Sequence, residues 1–282
     1  MDFLYILPII VTFTGAYFLF KLRFFFIKHP KKTVKKIKKA IGEKGAFRSI
    51  TLALAGTLGI GNIVGVAVGI SVGGPGAVFW LFVSSLFAMV IKYAEASLCA
   101  EFGDGKGMIG VVAKSFGRLS RPMSIAYSVL ILAICFVMGA ALQSASIGQC
   151  ASFTLGMSEN VTSIILIIVL LFSIIGGSLK IEKITMILIP VTTIIYILLS
   201  CFAILLNIEK IPEAFFCVMS SAFDGESAFG GIIGFLLSDK IKEGYLRGIL
   251  SNEAGAGTSS IAHSINKSAD SGAVCRHGRH SW

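Results

Sequence analysis

The residues best suited to hold a small charged molecule lie in the run Ala55-Gly56-Thr57-Leu58-Gly59-Ile60-Gly61-Asn62-Ile63-Val64-Gly65. Glycine costs roughly 1 kcal/mol per site inside a helix and frees the backbone to unwind. An unwound turn within a membrane would offer amides to a carboxylate and carbonyls to a cation. A second reading is open: Gly61, Gly65, Gly69 and Gly73 recur every fourth residue, a small-residue stripe on which another helix can lie closely. Packing explains those four but not the crowding of Gly56, Gly59 and Gly61 around Thr57 and Asn62. A dinucleotide fingerprint is excluded, because the spacing is G-x-G-x-x-x-G and no strand precedes it.

Other polar groups stand out against apolar surroundings. The segment from Ser220 to Gly231, with Asp224 and Glu226, interrupts the apolar stretch 214–238, and an interrupted segment in each half of a transporter points to its binding site. Alternatively, the two acids lie in an outward-facing loop. Residues Ser251-Asn252-Glu253-Ala254-Gly255-Ala256-Gly257-Thr258 are again small, polar and glycine-rich. Lys92 and Glu95 sit at i, i+3 spacing inside an apolar run, where ionisable groups are costly and usually paired. They read as a structural pair near a cytoplasmic end or as a gate, and Arg247 and Glu253 as a pair or cap. No run presents a nucleophile with a base, so no catalytic residues are expected. Cys275, His277 and His280 make a poor metal set, so no transition-metal site is expected either.

The elements that must position these groups follow from composition. Of 282 residues, 55% are hydrophobic and only 14% charged, against about a quarter charged in soluble domains. Uncharged runs at 3–20, 49–91, 122–158, 160–179 and 184–208 reach or approach the roughly 20 residues of a membrane span. None alternates with a period of two, which excludes a barrel. The expectation is an all-α polytopic membrane protein with helices near 3–27, 49–72, 77–100, 122–150, 161–179, 184–207 and 214–238, and an eighth starting at 244–265.

Charge sets the orientation. Asp2 precedes the first apolar run, and Lys21, Arg23 and Lys28 follow it, the reverse of a secretory signal. This segment reads as a retained helix with its amino terminus outside. Much of the formal charge of +10 lies in Lys28, Lys31, Lys32, Lys35, Lys36, Lys38 and Lys39. By the positive-inside rule the 28–48 loop is cytoplasmic, and the lysines from Lys28 to Lys39 meet anionic lipid headgroups. No aromatics interleave them, so nucleic acid is not expected. Lys106, Lys114, Arg118 and Arg121 fall inside, as do Lys180 and Lys183 and then Lys240, Lys242 and Arg247. The stretches between have no basic residues or lean acidic. The six cysteines lack paired spacing and read as reduced hydrophobes.

The stretches GTLGIGNIVGVAVGISVGGPGAVFW at 56–80, KYAE at 92–95, MGAALQSASI at 138–147, SAF…GG at 221–231 and RGILSNEAGAGTSSIAHS at 247–264 together resemble the alanine or glycine:cation symporters, also called sodium:alanine symporters. The resemblance covers about 40–265. It implies a leucine-transporter-like fold: an extra first helix at 1–27, the basic loop, a first five-helix repeat at 49–207 and the start of an inverted second repeat at 208–265. The function implied is uptake of alanine or glycine across the plasma membrane with sodium, or in some members protons, and no other cofactor. Thr57, Gly59, Gly61, Gln143, Ser221 and Phe223 would contact the amino acid. The carbonyls of Ala55, Thr57 and Leu58 and the side chains of Asn62 and Asn252 would hold the cation.

Two departures stand out. The fourth-helix pattern G-N-x-V-Q-x-N reads here with Ala140 and Ala145 in place of its asparagines. After Ser264 the likeness fades into a polar tail at 266–282, whereas family members continue for further helices. The second repeat is then expected to be incomplete, as in a shortened reading frame. That leaves two expectations: a symporter whose transport is lost by truncation, or a non-transporting membrane subunit or inactive fragment associating with a full-length paralogue.

Overall fold

The computed structural model describes residues 6–21, 51, 54–175, 177–223 and 239–258; the lysines from Lys28 to Lys39, Asp224, Glu226 and the 266–282 tail lie outside this set. The described residues are mostly helical, with no strand among them. In chain order they form α1 (Ile6–Lys21), a broken segment ending in α2 (Val64–Gly73), α3 (Gly76–Phe102), α4 (Met108–Ser115) and α5 (Ser120–Ile134). These are followed by α6 (Leu142–Leu155), α7 (Glu159–Ile174), α8 (Gly177–Leu206), α9 (Ile211–Ala222) and α10 (Asp239–Asn252). A seven-residue π-helical segment, Cys135–Ala141, joins α5 to α6. Among the described residues, three stretches are long and apolar enough to cross a membrane: Gly76–Cys99, Gly117–Leu155 and Lys183–Leu206.

The packed centre is α3 with α10, and α1, α2 and α9 also lean on α3. Ala77, Ser84, Ala88, Val90, Ile91 and Ala94 of α3 are buried, as are Ile241, Tyr245, Leu246 and Ile249 of α10. Glycine permits their close crossing. A Cβ on Gly248 would lie 1.8 Å from Ser84 Oγ, and one on Gly244 would lie 2.5 Å from Ala77 O. With so little area to bury against lipid-like surroundings, helices associate through such small residues. From Ser120 to Phe216, by contrast, most large apolar side chains point outward; among the described residues there, only Ile131, Gly148 and Thr162 are buried. That outward apolar surface suits a hydrocarbon solvent rather than water.

Several boundaries differ from expectation. The stretch Glu101 to Arg121, read as a loop, contains α4, folded back so that Gly110 rests on the Gly103 carbonyl, with Lys114 paired to Asp104. Lys180 and Lys183 belong to the first turns of α8. The reason is that Gly177 turns at φ +71, and Lys180 reaches back to cap α7 through the carbonyls of Phe172 and Ile175. The largest shift is at α10: the helix expected from 244 to 265 is already formed at Asp239 and ends at Asn252. Positive φ at Glu253, Gly255 and Gly257 stops it, so the glycine-rich run ends a helix instead of continuing one.

Candidate ligand site at the broken helix

Residues 54–57 are helical, Leu58 and Gly59 are not, and Ile60–Asn62 forms a single 3-10 turn before α2. Gly59 is extended (φ −130°, ψ −172°), so the regular i to i−4 ladder lapses and leaves backbone groups without helical partners. Asn62 closes the gap: its Nδ2 donates to the Thr57 carbonyl at 2.7 Å. Of the two readings of the glycine run, the unwound turn is the one seen at 58–63. The packing face holds at Gly65 and Gly69, where Arg247 lies against α2. A Cβ on Gly56 or Gly61 would meet nothing within 4 Å, so close packing does not explain those two glycines.

Gln143, near the start of α6 and just past the π-helical segment, brings its amide to the break. A Cβ on Gly59 would stand 3.2 Å from Gln143 Nε2. Thr57, Gly59, Gly61 and Gln143 thus share one neighbourhood. Ser221 and Phe223 are elsewhere. Ser221 Oγ accepts from Gly76 N at 3.1 Å, and the Phe223 ring meets Phe79 and Trp80 at 5.0 and 6.0 Å. They sit past the far end of the ten-residue α2, about 15 Å from the break by helical rise. The six residues expected in one group form two, because α9 docks on the start of α3 rather than on the unwound turn.

Among the oxygens expected to hold a cation, Ala55, Thr57, Leu58 and Asn62 gather at the break, with the Thr57 carbonyl accepting from Asn62. Asn252 is turned away: its amide donates to Ser85 Oγ at 3.1 Å and Gly248 O at 2.8 Å, tying α10 to α3. The neighbour one residue earlier takes its place, since Ser251 Oγ donates to Asn62 Oδ1. Spacing alone did not single out Ser251, although it lies in the polar glycine-rich run.

The charged pairs also rearrange. Lys92 Nζ donates to the Glu253 carbonyl at 3.0 Å, and Glu95 Oε1 accepts from Gly255 N, so both hold the turn after α10. Arg247 pairs with Glu243 at 3.3 Å, one helical turn back, while Glu253 accepts from Thr258 Oγ1. The i, i+4 partner is fixed by the helix, whereas Glu253 lies beyond its end. No cluster of metal-ligating side chains occurs among the described residues.

A polar, unwound turn inside an otherwise apolar helical protein is what a membrane carrier needs, and the sequence pattern of the sodium:alanine symporter family matches residues 1–275. The chain belongs to the sodium:alanine symporter family. That family comprises transporters, not enzymes, and its member here is an all-α, multi-pass membrane protein. The match reaches beyond the 40–265 stretch that carried the resemblance, taking in the first helix and most of the tail. A protein of Haemophilus influenzae named only as a transporter is 34% identical over 91% of this chain and 58% of its own. The sodium/alanine symporter AgcS of Methanococcus maripaludis is 32% identical over 88% of this chain and 54% of its own. A sodium/proton-dependent alanine carrier protein of a Bacillus species is 34% identical over 76% of this chain and 48% of its own. The chain thus spans about half the length of the curated relatives it matches.

Proposed function

We propose that this symporter-family chain binds a small neutral amino acid, alanine or glycine, at the break in residues 58–63, and moves it across the plasma membrane with sodium. A proton is the alternative coupling ion, in keeping with a relative named for both. The single observation that carries the reading is the unwound turn with Gln143 beside Gly59. Thr57, Gly59 and Gly61 leave room for a short side chain and offer backbone groups to a zwitterion, and the Gln143 amide gives its polar end a partner. No charged side chain is needed there, since helix ends carry partial charges of both signs. The cation would take the carbonyls of Ala55, Thr57 and Leu58 and the Asn62 side chain. Ser221 and Phe223 would join the amino acid only if the end of α9 moved along α2. This arrangement belongs to a leucine-transporter-like fold with its amino terminus outside and the 28–48 loop on anionic headgroups of the cytoplasmic face.

The test is uptake of radiolabelled alanine by proteoliposomes carrying the purified chain. Uptake driven by an inward sodium gradient, reduced by excess glycine, is the expected result. Uptake indifferent to sodium and to protons, together with no alanine binding at equilibrium, overturns it.

One observation favours a second reading, a non-transporting subunit paired with a longer paralogue. Gln143, Ser144 and Gln149 are exposed on α6, and polar groups at membrane depth ordinarily face protein or water. Crosslinking through cysteines placed on that face, in native membranes, distinguishes the two: capture of a longer symporter supports the subunit.

A further inference from the structure

Glu95 is 6% exposed, in a helix that crosses the apolar centre of the molecule. A carboxylate in such a place is costly and is normally kept for a purpose. Its contacts show what it holds. Glu95 Oε1 accepts from Gly255 N, Lys92 donates to the Glu253 carbonyl at 3.0 Å, and Tyr127 OH donates to the Ala256 carbonyl at 2.7 Å. Side chains from α3 and α5 therefore converge on the backbone of one short turn. The turn's own bonds, such as Ala256 N to the Glu253 carbonyl, are few, and Glu253 is a non-glycine residue at φ +48°, a left-handed conformation that L side chains disfavour. At Gly257 a Cβ would lie 2.1 Å from Tyr127 OH, so the turn also fits its clamp closely.

Four residues before Gly255, Ser251 donates to Asn62 Oδ1, and Asn62 Nδ2 donates to the Thr57 carbonyl across the break. The path runs by hydrogen bond from Glu95 to Gly255, along the main chain of the turn back to Ser251, and by hydrogen bonds again through Asn62 to Thr57. We propose that Glu95 is a positioning residue for the broken helix, acting through the 253–257 turn and Ser251 on Asn62. Its importance for transport rests on the proposed ligand site, but the mechanical link does not require a ligand. Only one carboxylate oxygen is used; Oε2 is buried without a partner. The role therefore needs an acceptor oxygen at the right reach, not both oxygens.

The experiment is hydrogen exchange by mass spectrometry on the full chain in lipid nanodiscs, without ligand. Glu95→Ala is expected to speed exchange at the amides of 253–258 and of 58–63 together, roughly tenfold, the size of a lost charge-assisted bond. Glu95→Gln, which keeps an acceptor oxygen, should stay near the parent in both segments. Ser251→Ala should loosen 58–63 and leave 253–258 protected, and adding Glu95→Ala to it should loosen 58–63 no further. Loosening of 253–258 with unchanged exchange at 58–63 overturns the proposal, leaving Glu95 a local support of the turn. If Glu95→Ala does not fold, Glu95→Asp, one carbon shorter, must show the same paired loosening, and an isolated response at the turn overturns it equally. Failure of the ligand-site reading would appear separately, as an absence of sodium-dependent alanine binding in the unsubstituted chain.

Discussion

Asn62 and Ser251 are 189 residues apart in the chain and are joined side chain to side chain at the break. Asn62 thereby serves two helices at once, donating to Thr57 on its own broken helix and accepting from α10. Replacing it with alanine removes both bonds. At about 1 kcal/mol each, the loss should lower Tm by about 4–8 °C, scaling from 2–4 °C per kcal/mol for a chain of roughly this size. Thermal melts in detergent check this, and Asn62→Asp, which keeps the acceptor for Ser251, should recover part of the loss.

Gly59 and Gly61 separate structure from function. A methyl group on Gly61 meets nothing within 4 Å, so Gly61→Ala should change stability by no more than about 0.5 kcal/mol. If the amino acid lies over this turn, its affinity must fall all the same. Gly59→Ala should push the Gln143 amide aside and weaken binding about as much as Gln143→Ala. Isothermal titration with alanine in sodium should then show the double variant only slightly worse than either single one.

Phe223 belongs to the other end of α2, against Phe79 and Trp80. Phe223→Ala should shift the emission of Trp80, one of two tryptophans in the chain. It should leave alanine affinity within about twofold, the size of an effect below about 0.5 kcal/mol. A tenfold loss of affinity would show that the end of α9 reaches the break in the bound state.

The α3–α10 crossing has no spare room at Gly248, where a Cβ falls on Ser84 Oγ and 2.8 Å from the Leu81 carbonyl. Gly248→Ala should cost about 1–3 kcal/mol through overpacking, read as a lower Tm and weaker protection of α10 in hydrogen exchange. Ser84→Gly in the same chain should return part of that stability, whereas Gly56→Ala, in open space, should be near neutral.

Lys92→Met removes the donor to Glu253 and leaves Glu95 without its neighbouring positive charge. Losing a hydrogen bond from a charged group should cost about 1.5–3 kcal/mol, and the buried carboxylate left behind adds to it. Lys92→Met combined with Glu95→Gln should therefore be more stable than Lys92→Met alone, a difference visible in chemical denaturation.

Much of the architecture was legible in the chain because its causes are local. Whether a segment can sit in hydrocarbon is a sum over its own residues, so the uncharged runs marked the helices, and the glycines around Thr57 and Asn62 marked a weak place in one of them. Where local signs misled, tertiary contacts had intervened. The run Ser251 to Thr258 ends α10 because Lys92, Glu95 and Tyr127 clamp the turn that follows it.

The amino-acid sequence alone determined that this protein is a bundle of apolar helices with one helix prone to unwind, and its motifs carried the family. Only the tertiary structure decided that Asn62 meets Ser251 rather than Asn252, that Gln143 faces Gly59, and that Ser221 and Phe223 stand at the other end of α2. It also showed Lys92 and Glu95 sharing a turn instead of a bond. Helix formation answers to neighbours three and four residues away, whereas the partner of a polar side chain is set by which distant segment arrives beside it. Spacing along the chain holds no trace of that arrival.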